Sequence, residues 1–137
     1  MRYADDGHCF VCGPENPIGL KLQFAHIDNK VRAEFNPSKK YQGYMDIVHG
    51  GILSTVLDEA MVKIAIAEGM PAVTAQMDLR LKKPLHINQP VIIEAEITGR
   101  TRKILKSKAW IITKDGTLIA EASGTLIKLE SAVMQIK

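Results

Sequence analysis

Tyr41-Gln42-Gly43-Tyr44-Met45-Asp46-Ile47-Val48-His49-Gly50-Gly51-Ile52-Leu53-Ser54-Thr55-Val56-Leu57-Asp58-Glu59-Ala60 passes from a polar loop into a helix. From Gly50 to about Glu68, the residues Leu53, Leu57, Ala60, Ile64 and Ala67 form an apolar stripe at helical spacing, flanked by Ile52, Val56 and Met61. Gly69 and Pro71 stop the helix. Its polar residues are few for a surface helix, so both flanks are expected to be covered by a sheet. Gly50 and Gly51 lie where the loop becomes helix, so their amides lack intrahelical partners and sit at the positive end of the helix dipole. Without a Cβ, they let a ligand approach the backbone, and a developing oxyanion suits such a place. The same glycines would also serve simply to begin a tightly packed helix. Asp58 has small and apolar helix neighbours (Ser54, Thr55, Met61, Val62), so its carboxylate needs a partner or a task. Glu59 has Lys63 four residues on and reads as one half of a solvated ion pair.

Around this helix the pattern is that of strands. Leu20 to Phe24 alternates apolar and polar residues, Asp28-Asn29-Lys30 offers a reversal, and Val31, Ala33 and Phe35 alternate again, which predicts a hairpin. The polar segment from Pro37 to Val48 is a loop of the length that often carries binding function. After the helix, Val73, Ala75, Met77, Leu79 and Leu81 alternate with Thr74, Gln76, Asp78, Arg80 and Lys82. Val91 to Ile97 forms the next strand, and Ile104 to Thr113 follows it. The chain then turns at Lys114-Asp115-Gly116 into a last strand with Leu118, Ala120, Ala122, Gly124 and Leu126 on one face. The order β-β-α-β-β-β-β predicts an α+β fold, with an antiparallel sheet of about six strands wrapped around one long helix.

The chain has 137 residues, a length for one domain (1–137), with residues 1–16 as a cysteine-containing N-terminal segment. It is 46% hydrophobic and 24% charged, the balance of a globular protein. No run approaches the roughly 20 apolar residues that cross a bilayer, and Met1 to Asp6 has no apolar signal core; a cytoplasmic location without membrane partner is expected. A net charge of +3 is too small to argue for nucleic acid. The two cysteines stand in His8-Cys9-Phe10-Val11-Cys12-Gly13. A structural turn is the favoured reading there, with a zinc or redox role as the minor one, since His26, His49 and His86 show no ligand spacing to the pair.

His49-Gly50-Gly51 followed by Leu57-Asp58-Glu59-Ala60, within this order of elements, resembles the hotdog-fold thioesterases, in the PaaI-like branch of the 4-hydroxybenzoyl-CoA thioesterase superfamily. The resemblance runs from about Cys9 to Leu129. It implies hydrolysis of an acyl-CoA thioester without metal or organic cofactor. Gly50 matches the glycine whose amide polarises the thioester carbonyl, and Asp58 the carboxylate that acts as general base or as nucleophile. His49 matches a residue that shapes the site or fixes its loop, and Thr74 one that holds the water or the carboxylate. Gly51 belongs to the substrate-binding turn. Gly43 stands where many relatives place Asn or Gln, so Gln42 beside it is the candidate substitute, and Asp46 stands where glycine is common. Basic residues concentrate at Arg80, Lys82, Lys83 and from Arg100 to Lys108; Arg100, Arg102 and Lys103 are the candidates for the nucleotide phosphates of coenzyme A. The resemblance also implies a homodimer, which can pair into a homotetramer, with Gly50 of one subunit facing Asp58 of the other. The alternative within the same fold is a non-catalytic protein that binds or senses acyl-CoA. A hydratase or dehydratase is a weaker third reading, because its local motifs are not found.

Overall fold

The computed structural model describes residues 3–129 and 134–135. The elements are β1 (Tyr3–Ala4), β2 (Ala25–Ile27), β3 (Lys30–Phe35), a single 3-10 turn at Lys39–Tyr41, α1 (Gly50–Ala67), β4 (Ala72–Leu81), β5 (Val91–Arg100), β6 (Ile104–Thr113), β7 (Leu118–Lys128) and β8 (Met134–Gln135). Strands β2 to β7 form an antiparallel sheet in the order β2-β3-β5-β6-β7-β4, while β1 pairs in parallel with β8. Helix α1 packs across β3 to β7. This is the α+β arrangement that the sequence pattern predicts, with six strands about one long helix.

Leu53, Val56, Leu57, Ala60, Met61, Ile64 and Ala65 bury the inner side of α1. Each large apolar side chain removed from water there contributes about 1.5–3 kcal/mol. Ala67, expected on the stripe, is exposed in the last turn of the helix. Gly69 ends the helix in a left-handed conformation (φ 79°). Its amide donates to the Ile66 carbonyl (2.9 Å), and the Met70 amide to the Ala65 carbonyl (2.8 Å), satisfying the final carbonyls.

Three expectations need correction. Leu20–Phe24 is not a strand; the hairpin is Ala25–Ile27 against Lys30–Phe35. Lys21 takes a left-handed φ of 56°, and the amides of Leu20 and Leu22 donate to the carbonyls of Phe10 and Val11, both at 2.9 Å. The alternation was real as burial, for Leu22 reaches the core, but the segment pairs with the cysteine loop instead of the sheet. Strand β5, expected to end at Ile97, runs three residues further, with a bulge between Ile97 and Gly99, so Arg100 is its last residue. The third correction concerns β4. Its period-two pattern is broken by a bulge at Ala75, between the pairs Thr74↔Leu126 and Gln76↔Thr125. Leu126, Gly124 and Ala122 face the helix, so their partners Thr74, Met77 and Leu79 face it too. An unbroken strand would have turned Thr74 to the opposite side of the sheet.

Candidate active site

The chain enters α1 through a loop pinned on several sides. The amides of Gly43, Val48 and His49 donate to the carbonyls of Ile47, Leu85 and Tyr41, each at 2.8 Å. Asp46 holds a left-handed φ of 64°, which explains why glycine suits that position, and its amide donates to Gln42 Oε1 at 2.8 Å. Lys39 Nζ also reaches Gln42 Oε1 (3.0 Å) and Asp46 Oδ1 (3.3 Å). Gln42 therefore braces the loop through its carbonyl oxygen.

His49 is the N-cap of α1, and its Nδ1 accepts a hydrogen bond from the Gly51 amide at 2.8 Å. The amides of Ile52 and Leu53 donate to the His49 carbonyl at 2.9 and 3.3 Å. The Leu53 bond is the first regular helix bond; with the His49 amide on the Tyr41 carbonyl, those of His49, Gly51 and Ile52 are three of the four amides that a helix start leaves over. The fourth, that of Gly50, has no acceptor among the described residues. It borders a cleft of about 480 Å³ lined by Gly43, Tyr44, Ile47, Val48, His49 and Gly50. Leu81 lies against Gly50, with its Cδ1 at 3.2 Å from where a Gly50 Cβ would lie. Tyr44 and Met45 beside the cleft are 89% and 78% exposed, an unusual display of apolar surface at one place.

Asp58 lies half-buried on the same helix. Thr74 Oγ1 donates to its Oδ1 at 2.6 Å, a short bond made possible by the Ala75 bulge. No ion pair among the described residues involves Asp58, so the second carboxylate oxygen remains available. Asp58 stands eight positions after Gly50 on the helix, about 12 Å along the axis. One chain therefore does not bring the amide and the acid to a common atom.

The basic residues do not gather at the Gly50 cleft. Arg100 leans on Glu68 (Nη2 to Oε1, 3.8 Å), and Arg102 and Lys103 lie exposed in the β5–β6 turn, at the C-terminal end of α1. That end is about 25 Å along the helix from Gly50. Arg80 and Lys108 share a shallow groove with Asp78 and Glu121 on the sheet face away from α1, where both signs of charge meet.

Glu59 departs from its expected role. It does pair with Lys63 (3.9 Å), but its side chain is only 16% exposed and meets Cys9 Sγ at 3.6 Å. Burial, aided by the neighbouring Glu59 carboxylate, pushes the Cys12 thiol up to about 12, well away from the range of a reactive thiolate. A contact 50 residues apart in sequence left no periodic signal to read.

The thioesterase superfamily model matches residues 45–120. The acyl-coenzyme A thioesterase THEM4 of Mus musculus is 31% identical over 117 residues, covering 82% of this chain and 50% of its own length. The chain thus spans about half the length of the curated relatives it matches first. A crystallised thioesterase superfamily protein superposes with a TM-score of 0.85 at 24% identity, over 88% of this chain and 60% of that one. A thioesterase protein from Streptococcus pneumoniae TIGR4, crystallised with coenzyme A, gives 0.74 at 20% identity, over 79% and 85%.

Proposed function

The chain belongs to the thioesterase superfamily, and from that footing we propose that it hydrolyses acyl-CoA thioesters as a dimer whose active sites are each shared by two subunits. The observation that carries this reading is the separation just described: one uncapped amide at Gly50 and one unpaired carboxylate at Asp58, on one helix yet too far apart to act together within a chain.

A second copy supplies the missing proximity. Strand β4 is ten residues long, lies at the edge of the sheet and displays Leu81 at 52% exposure. Such an edge invites pairing with another chain. Antiparallel pairing of two β4 strands about a two-fold axis at Asp78, with the Ala75 bulge counted as the extra residue, sets Leu81 opposite the partner's Thr74. Leu81 abuts Gly50, and Thr74 holds Asp58. The pairing thereby carries the Gly50 amide of one protomer toward the partner's Asp58, giving two equivalent sites. In the same dimer the turn bearing Arg102 and Lys103 lies about 13 Å beyond Asp58 along its own helix, and its exposed charge makes it the candidate partner of the coenzyme A phosphates.

The chemistry follows from these positions. The Gly50 amide hydrogen-bonds the thioester oxygen, and the bond strengthens as negative charge develops there. Asp58 accepts a proton from the attacking water; the tetrahedral intermediate then collapses, the C–S bond breaks, and the proton passes to the departing thiolate of coenzyme A. The same free oxygen could attack the carbonyl directly, forming an anhydride that water opens. A single turnover in ¹⁸O-water with enzyme in excess distinguishes these routes: base catalysis labels the product acid and never Asp58, whereas an anhydride opened at its Asp58 carbonyl leaves the label in Asp58 and releases unlabelled acid. Release of free thiol across a panel of acyl-CoA substrates tests the activity itself. Tight binding of acyl-CoA without turnover by the folded dimer would favour the sensing role instead.

Thr74 acts here as a positioning residue. Thr74→Val is expected to lower kcat by about 10- to 100-fold with little change in KM, because a misaimed carboxylate loses its attack geometry. Thr74→Ser should restore most of the rate. Equal kcat in Thr74→Val and the parent would remove Thr74 from the account.

A further inference from the structure

A second cluster of chemically capable side chains lies on the other flank of α1, away from the Gly50 cleft. Cys9 and Cys12 are both free and half-buried, and Glu59 reaches them from the helix. The two Sγ atoms and a Glu59 carboxylate oxygen all lie within 4.8 Å of one another. With Zn–S near 2.3 Å and Zn–O near 2.0 Å, a tetrahedral zinc ion spaces sulfur from oxygen by about 3.5 Å and sulfur from sulfur by about 3.8 Å. The Cys9 Sγ to Glu59 Oε2 distance is 3.6 Å. The edge of such a tetrahedron is therefore already in place.

The loop that carries the sulfurs is held in one shape. The Cys12 amide points at Cys9 Sγ (3.5 Å). The Gly13 amide closes the turn on the Cys9 carbonyl at 2.9 Å. Gly13 is required sterically, since a Cβ would lie 2.3 Å from the Cys9 nitrogen and 2.5 Å from the Gly7 carbonyl oxygen. The bonds from Leu20 and Leu22 to Phe10 and Val11 hold the loop from its other side. The pair is thus presented by a rigid frame to a carboxylate fixed on a helix. Rigid presentation of two soft ligands and one hard one suits zinc better than magnesium or calcium, which take oxygen ligands alone.

We propose that Cys9, Cys12 and Glu59 hold a Zn²⁺ ion whose fourth position is open to water, and that the ion fastens the N-terminal loop to α1 beside Asp58. Two thiolates and a carboxylate leave the zinc site with one surplus negative charge. Lys63, whose Nζ lies 3.9 Å from Glu59 Oε2, supplies the compensating positive charge next to it. Binding releases the two thiol protons to solvent, as zinc–thiolate formation does generally. The ion plays no part in the proposed hydrolysis, so the two readings stand or fall separately.

The test uses the full chain, purified under reducing conditions, stripped with a chelator and titrated with Co²⁺ and then Zn²⁺. One Co²⁺ per chain is expected, with sulfur-to-cobalt charge-transfer absorption and tetrahedral d–d bands that Zn²⁺ abolishes. The unfolding temperature should rise with added zinc. Cys12→Ser and Glu59→Gln each remove a ligand and should weaken zinc binding by at least about 100-fold, and Lys63→Met by about 10- to 100-fold, the range seen when a ligand's support is lost. Glu59→Gln leaves the cysteine loop untouched and keeps the test decisive should the serine variant fail to fold. Three results would each overturn the proposal: no uptake of Co²⁺ or Zn²⁺ by the reduced chain, uptake unchanged by Cys12→Ser, or uptake unchanged by Glu59→Gln.

Discussion

Asp58→Asn is expected to lower kcat for acyl-CoA hydrolysis by about 10²- to 10⁴-fold, the loss that follows removal of a general base. The substitution is close to isosteric, and the asparagine carbonyl oxygen still accepts the hydrogen bond from Thr74 Oγ1 that holds Asp58 at 2.6 Å. Folding and subunit assembly should therefore survive it, with a stability change of less than about 1 kcal/mol. The check is the initial rate of thiol release, read beside the native mass and an unfolding curve. An unchanged rate in the folded variant would remove Asp58 from the chemistry. A parent protein that binds acyl-CoA but releases no thiol would point to the sensing role.

Gly50→Pro should lower kcat by about 10²- to 10³-fold, as deletion of one oxyanion donor does. Proline is the one residue that removes a backbone amide, and Gly50 is a position that tolerates it. It is the first residue of α1, where proline is favoured and where its missing N–H costs the helix nothing. His49 before it has φ −59° and ψ 133°, the extended backbone that a residue preceding proline prefers. Gly50→Ala is the control. It adds the same Cβ facing Leu81 Cδ1 at 3.2 Å, the movable tip of a side chain, yet keeps the amide. A large loss in the proline variant with a small one in the alanine variant assigns the effect to the N–H. Equal losses in both would assign it to crowding, and the amide would lose its role.

The helix and the four strands after it were legible because each keeps one period over most of its length, with only single bulges interrupting the strands. Gly50, Asp58 and the polar loop before them were legible for a different reason: glycines at a helix start and an acid among apolar neighbours are locally out of place. What escaped was whatever depends on a break in periodicity or on a distant contact. Thr74 reads as a polar-face residue, and only the extra residue at Ala75 turns it toward Asp58. Leu20–Phe24 has the pattern of a strand, but a left-handed Lys21 and bonds to the cysteine loop keep it out of the sheet. Glu59 has the spacing of a surface ion pair, and nothing local to it announces Cys9 fifty positions earlier. The Arg100–Lys103 candidates illustrate the opposite limit. Their charge is evident in sequence, but their distance from Gly50 is set by the length of a helix that separates them.

Subunit complementation bears most directly on the shared site. Gly50→Pro and Asp58→Asn chains are each nearly inactive as homodimers under this account. When the two are unfolded together and refolded, a mixed dimer unites the intact Gly50 of one chain with the intact Asp58 of the other at one of its two sites. With random pairing the mixture should recover about a quarter of the parent activity. A mixture no more active than the mean of the two separate variants, with mixed dimers demonstrated by mass, would show that the amide and the acid do not meet across chains.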